Sequence, residues 1–545
     1  MRKLLIMLLL LPVISCTMQK KDADLVIHHA KIYLVDKSFN TAEALAIADG
    51  RVLETGSSRV ILGTYKGRQV LDLEGRYVYP GLIDAHCHFA GYGLSLRQAD
   101  LSGTRSFDEV INRLMEHYTR YKGTWLLGRG WDQNDWEKKE WPTRERLDSL
   151  FPDVPVLIRR VDGHAALING QAIKMAGLNT GTKIRGGDLL ITDGRLTGLL
   201  IDNAIDLVDK IIPAPDTVEI RQSLLGAQGN CFGVGLTSVH DAGLDASMID
   251  LIEKMNREGC LKIRIYAMLS ANRENFERYM YPGIVQTDYL TVRSVKLYAD
   301  GALGSRGALM IEPYADDPDN NGLLLNDKEY LESICRDAFN HGYQVNTHCI
   351  GDSANRIILD MYGSILQGHN DKRWRIEHAQ IIHPDDLNKF GQFSVIPSVQ
   401  PTHATSDMYW AAERIGTERL QGGYALKRLL DQNGWLPAGS DFPVEDINPL
   451  YGFYAAVARK DQESYPEGGF QVKDALSREE ALRAMTIWAA QSAFEEKVKG
   501  SIEPGKFADF VVTAKDLLTI TEQEIPGVKI LITFLGGEQV YPAIK

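Results

Sequence analysis

Eight short apolar runs recur through the middle of this chain, and their spacing restricts the fold more than any other feature. They cover residues 81–85, 236–239, 263–268, 292–297, 343–347, 374–377, 393–399 and 435–438. Runs of this length suit strands buried on both faces. Amphipathic stretches with helical patterning, such as 327–340 and 384–390, lie between them. Alternating strand and helix signals predict an α/β chain whose eight βα units close into a parallel (β/α)8 barrel of the TIM type. The gap between the first and second runs is far too long for one crossover helix. Residues from about 100 to 225 are therefore expected to form an inserted subdomain after the first barrel strand, with strand-like pieces at 124–128 and 154–158.

Both chain ends are β-like. Residues 25–27, 44–47 and 51–53 form short runs separated by turn signals at Asp49-Gly50 and Glu74-Gly75, and 510–513 and 530–534 echo them before Gly536-Gly537. A small β-sandwich built from 22–79 together with 500–545 is expected, with the barrel on 80–499. At the start, Arg2 and Lys3 precede an apolar run over 4–14 interrupted only by Pro12. That run is too short to span a bilayer and reads as the core of a signal peptide covering residues 1–16. It ends in Val13-Ile14-Ser15-Cys16, which resembles the lipobox of bacterial lipoproteins. The resemblance implies cleavage before Cys16, acylation of its thiol, and an exported protein held on a periplasmic or cell-surface membrane face by lipid alone.

The net charge of -12 comes without any basic block, which argues against nucleic-acid binding. Cys87, Cys231, Cys260, Cys335 and Cys349 are odd in number and form no CxxC pair, so free buried thiols are expected rather than a disulfide framework. There is no GxxxxGK[ST] phosphate cradle and no GxSxG nucleophile elbow.

Metal-capable side chains fall at the ends of the runs. His86 and His88 follow the first run at alternating positions and therefore point to one side. Lys296 lies near the end of the fourth, His348 ends the fifth, His378 ends the sixth and Asp441 follows the eighth. The C-terminal strand ends of a barrel converge on one mouth, so six potential ligands would meet there. His240 ends the second run and His403 follows the seventh, which places both at the same mouth. An isolated histidine is more often a hydrogen-bonded structural residue than a ligand; the joint placement is what points to a metal site.

These segments resemble the amidohydrolase superfamily, in particular its amidohydrolase-3 or YtcJ-like branch. The resemblance rests on Pro80-Gly81-Leu82-Ile83-Asp84-Ala85-His86-Cys87-His88, Val295-Lys296-Leu297-Tyr298-Ala299-Asp300-Gly301, Thr347-His348-Cys349-Ile350-Gly351-Asp352, Arg375-Ile376-Glu377-His378 and Ala438-Gly439-Ser440-Asp441-Phe442-Pro443. Gly130-Trp131-Asp132 and Gly505-Lys506-Phe507-Ala508-Asp509 match as well. It implies that His86, His88 and Asp441 bind one divalent metal, that His348 and His378 bind a second, and that Lys296 bridges both as an N-carboxylated side chain. An unmodified ammonium has no lone pair to offer a cation. The imidazole-rich set favours zinc.

The expected reaction is hydrolysis of a C–N bond in a small-molecule amide, N-acyl or N-formyl, by a metal-activated hydroxide, with Asp441 as proton acceptor and then donor. His164, His240, Asp300 and His403 are candidate substrate contacts, and Trp131 and Trp136 either line the pocket or pack in a core. A cyclic amide, carbamate or ester remains the alternative bond, because the pocket rather than the barrel decides it. A binding lipoprotein with a decayed site is the alternative outside enzymes; it would have lost at least one of the six ligands. A homodimer is the expectation for a large barrel.

Overall fold

The structure, a computed structural model, describes residues 20–120 and 123–542. Cys16 lies outside the described residues. Seven parallel strands form the barrel in the order Leu82–Cys87, Leu236–Leu244, Arg264–Ser270, Leu290–Tyr298, Gln344–Cys349, Arg375–His378 and Ile396–Ser398. The eighth run closes the barrel without forming a regular strand. Pro437 carries no N–H for a ladder, and pairing there reduces to a parallel bridge between Val399 and Ala438. Ala85 N–H donates to the Ala438 carbonyl at 3.2 Å and Asp441 N–H donates to the His86 carbonyl at 2.7 Å, joining this segment to the first strand.

The strands are not apolar on both faces. Cys87, Val239, Val295, Val345 and Ile376 belong to the core shared with the outer helices. The residues that alternate with them, His86, His240, Lys296, Asn346 and Glu377, are buried and polar. A strand has period two, so the barrel lumen is polar and its outer wall is apolar. Helices such as Ala246–Arg257, Lys328–Asn340 and Asp352–Leu366 cover that wall. Thr217–Gly233 opens with a reciprocal Asp216–Glu219 cap and leads directly into the second strand.

The insert after the first strand contains a six-stranded sheet in the order Gly187–Thr192, Arg195–Asp202, Ala165–Ile168, Val156–Arg160, Leu126–Trp131 and Ala99–Asp100. It has its own core, with Trp131, Ile158 and Leu199 fully or almost fully buried. The two chain ends meet in a second six-stranded sheet, where Phe510–Thr513 runs antiparallel to Tyr77–Pro80. That sheet packs on a four-stranded one through Ile27, Leu45, Val78, Phe510 and Phe534. Asp516 ties the ends together: it accepts from Lys31 Nζ at 2.8 Å, from the Tyr33 hydroxyl at 2.8 Å and from the Tyr79 hydroxyl at 3.0 Å. Among the described residues the cysteines are free, and no helix is long and apolar enough to cross a membrane.

Candidate metal centre

The site begins with how the first strand is fastened to the eighth segment. The buried Asp84 carboxylate accepts from His86 N–H at 3.1 Å, from Ser440 N–H at 3.1 Å and from the Ser440 hydroxyl at 2.6 Å. Burial pushes its carboxyl up to about 7 in spite of these bonds. Gly439 makes the approach possible, since a Cβ there would sit 2.4 Å from His86 N. Asp441 is thereby held against the first strand, in the left-handed region at φ 64. His378 is left-handed too, at φ 74. Such backbone in non-glycine residues stores strain and is concentrated at functional sites.

Each imidazole is oriented by a partner that can only accept. His86 Nδ1 lies 2.5 Å from Glu377 Oε2, and His88 Nδ1 lies 3.0 Å from the Ala242 carbonyl oxygen. Both Nδ1 atoms therefore carry the proton, and both Nε2 atoms present a lone pair. His378 Nδ1 is likewise 2.7 Å from Gln400 Oε1. His348 is turned over: its Nε2 is 3.4 Å from the Gly301 carbonyl, which leaves Nδ1 as the free nitrogen.

Asp441 Oδ1 lies 3.4 Å from His86 Nε2 and 3.3 Å from His88 Nε2. It is buried and accepts no hydrogen bond. A buried carboxylate oxygen facing two imidazole lone pairs is an unsatisfied arrangement that one cation would resolve. The ligand atoms of His86, His88 and Asp441 lie within 4.8 Å of one another, as do those of His378, His403 and Asp441. Lys296 Nζ is 3.2 Å from His86 Nε2, and the His348 and His378 ring centroids are 4.6 Å apart. The donor set fits a divalent metal.

The protonation states agree with that fit. Burial, reinforced by neighbouring cationic groups, holds His86 below the ordinary imidazole range and His348 and His378 well below it, so these rings are neutral donors. Burial alone would raise the Asp441 carboxyl, but the imidazoles that surround it, His403 foremost, hold it well below the usual range. Burial lowers the Lys296 ammonium to about 8.

A cavity of about 720 Å³ opens above these groups. His88, Lys296, His348, His378 and Asp441 line it, and the insert supplies the opposite wall. His164 stands on that wall with Nδ1 2.6 Å from Asp202 Oδ1. Burial works against its charge, yet the Asp202 hydrogen bond raises it to about 9. His403 also lines the cavity, between Glu445 Oε1 at 3.0 Å and Asp441 Oδ2 at 3.6 Å.

Two sequence candidates lie away from the cavity wall. His240 is fully buried in the lumen, its Nδ1 3.2 Å from Arg375 Nη1. Asp300 is also fully buried and accepts from Leu309 N–H at 2.8 Å, Ile350 N–H at 3.0 Å and Gly351 N–H at 2.8 Å, which makes it a loop anchor. Trp131 and Trp136 pack in the insert core. Sequence reasoning assigned no role to Glu377, Asp84 or Gln400. The available signal was a charged residue inside an apolar run, as at Asp84 and Glu377.

A parallel barrel with buried imidazoles and a carboxylate converging on one cavity is the architecture of a metal-dependent hydrolase. The amidohydrolase family model Amidohydro_3 matches residues 69–541, and the chain belongs to that family. It is similar to Protein LONG AFTER FAR-RED 3 of Arabidopsis thaliana, at 35% identity over 95% of this chain and 92% of that one. It is also similar to an N-substituted formamide deformylase of Arthrobacter pascens, at 25% identity over 94% of this chain and 97% of the relative. Among solved structures, an uncharacterized metal-dependent hydrolase from Pyrococcus horikoshii superposes with a TM-score of 0.75 at 30% identity, over 91% of this chain and 99% of that chain.

Proposed function

We propose that this protein hydrolyses the C–N bond of a small non-peptide amide, N-acyl or N-formyl, at a two-metal centre, with zinc as the metal the donors suit best. The observation that carries the reading is the Asp441 carboxylate: ionised, buried, and with one oxygen bonded to nothing beside the His86 and His88 lone pairs. The choice of bond is supported by the relative named for cleaving N-substituted formamides.

A bound divalent metal supplies a Lewis acid for the substrate carbonyl and a water of lowered pKa. His86, His88 and Asp441 would hold one ion, and His348 and His378 the other. Lys296 would be a ligand shared by both ions once its amine adds carbon dioxide. The N–C bond forms, one amine proton is released, and the side chain becomes an anionic carbamate. This is supported by the position of Nζ beside His86, with no carboxylate within salt-bridge distance among the described residues. Asp441 takes the proton of the attacking water and returns it to the leaving nitrogen. His164, charged through Asp202, donates to substrate from the insert wall, and His403, held by Glu445, contacts substrate beside Asp441. The protein is exported and lipid-anchored through Cys16, a reading supported by Val13-Ile14-Ser15-Cys16 alone.

The test is elemental analysis of the purified protein after dialysis, followed by turnover of N-formyl and N-acyl amines. About two transition metals per chain and release of free amine are expected. A chain that takes up no metal, even when supplied with metal and bicarbonate, would overturn the reading.

A further inference from the structure

Among the described residues, one cation that the insert places on the cavity wall has no carboxylate within salt-bridge distance; Asp162 and Asp441 act on it only from further away. Arg129, on the strand Leu126–Trp131, lines the cavity. Regular alternation would send Arg129 and Trp131 to the same face. Gly130, at φ 107, breaks the register against Val156–Arg160 between these two residues. A side chain could not replace it, because its Cβ would fall 2.3 Å from Ser102 Oγ. The bulge sends Trp131 into the insert core, where its indole donates to the Ile158 carbonyl at 3.0 Å, and leaves Arg129 facing the cavity. This gives Gly130-Trp131-Asp132 a physical role that the hydrolytic groups do not explain.

A guanidinium has five N–H donors. Arg129 uses Nη2, on the Val161 carbonyl at 2.9 Å, while its Nε is buried without a partner. Among the described residues no carboxylate lies within 4.0 Å of it. Its neighbours differ: Arg159 pairs with Asp209, and Arg160 with Asp132 and Asp162. Burial and the nearby Arg159 push Arg129 down to about 10, so it remains charged at neutral pH. A half-buried cation with no directly paired carboxylate is held at a cost, and a ligand that brings the anion reduces that cost.

The geometry points to Arg129 as the recognition site for a carboxylate carried by the amide substrate, an inference that rests on the hydrolase reading of this cavity. The planar fork matches a carboxylate in two parallel hydrogen bonds. Asp132, Asp135, Asp162 and Glu445 also line the cavity. Their charges repel a phosphate dianion more strongly than a carboxylate monoanion, so the single charge is favoured.

The test is calorimetry on the full-chain, metal-loaded protein and its Arg129→Gln and Arg129→Lys variants. The probes are N-acetylglycine, N-acetylglycinamide and N-acetylaminomethylphosphonate, with metal content measured alongside. The acid is expected to bind at least about tenfold more tightly than the amide. Arg129→Gln should abolish that preference with metal content unchanged, and Arg129→Lys should keep part of it. Equal binding of acid and amide, binding of neither, tighter binding of the phosphonate, or a preference that survives in Arg129→Gln would each overturn the inference. Metal loss in both variants would make Arg129 a structural residue and overturn it as well. Turnover of amides without any acid preference removes this inference alone. An intact acid preference with no turnover of any amide keeps Arg129 as a carboxylate site but overturns the hydrolase reading, and with it the claim that the carboxylate belongs to an amide substrate.

Discussion

His86 Nδ1 and Glu377 Oε2 lie 2.5 Å apart, both fully buried, on strands separated by 291 residues of sequence. The carboxylate fixes which imidazole nitrogen keeps the proton and so aims the Nε2 lone pair at Asp441. Outer partners of this kind orient the ligand and raise its basicity, and so tune metal affinity. Glu377→Gln keeps the shape and removes the charge. It is expected to weaken metal binding by about 10- to 100-fold, with activity restored by excess metal. A metal titration monitored by turnover checks this, and unchanged affinity would show that His86 is oriented by other contacts.

Lys296 tests the bridge. Lys296→Ala should lose most bound metal and nearly all activity, and added short-chain carboxylic acids should restore part of both by occupying the vacated position. The readouts are elemental analysis and turnover with and without acetate or propionate. Full activity in the variant would sink the two-metal arrangement.

Much of this site was legible because strand ends concentrate function. His86, His88, Lys296, His348, His378 and Asp441 each stood at or near the end of an apolar run, and the folded barrel brings them together. The same rule misplaced His240. The second run was read as ending near residue 239, yet the strand continues to Leu244, so His240 sits in mid-strand within the lumen. The cause is the polar lumen itself, because a histidine pointing inward looks like the end of an apolar run. Asp300 illustrates a different limit. Its position beside the fourth strand was visible, but nothing in Ala299-Asp300-Gly301 foretold three backbone N–H groups from two distant segments. The eighth strand was legible as an apolar run, and Pro437 with Gly439 explains why it forms a bridge rather than a ladder.

The clamp between the chain ends gives a pH dependence remote from the metal centre. Burial alone would raise the Asp516 carboxyl, but hydrogen bonds from Lys31, Tyr33 and Tyr79 hold it below the ordinary value of 3.8. A carboxyl depressed in the folded state stabilises it fully above the unfolded value and loses that contribution as pH falls through the folded one. Asp516→Asn is therefore expected to cost roughly 1–3 kcal/mol at neutral pH. The gap from the parent protein should close below about pH 4. Thermal or urea unfolding across about pH 3 to 8 measures both curves. A gap that stays constant with pH would mean that shape, rather than charge, makes the clamp.

Asp441 is asked to do two things, and one substitution separates them. Oδ1 faces the His86 and His88 nitrogens, while Oδ2 lies 3.6 Å from His403 Nε2. Asn keeps a metal-facing oxygen but is a poor proton acceptor. If Asp441 carries the proton from water to the leaving nitrogen, Asp441→Asn should lower kcat by about 100- to 10,000-fold even when enough metal is supplied to fill the site. Restoring metal content should not restore turnover, which distinguishes lost proton transfer from lost coordination. Between Glu445 and Asp441 the His403 ring is held protonated, and removing the Asp441 charge lowers it, which makes His403 the nearest group able to take the proton in this variant. Turnover of the metal-filled variant within about threefold of the parent, abolished by adding His403→Gln, would move the proton role from Asp441 to His403, because a general base is identified by the loss its removal causes.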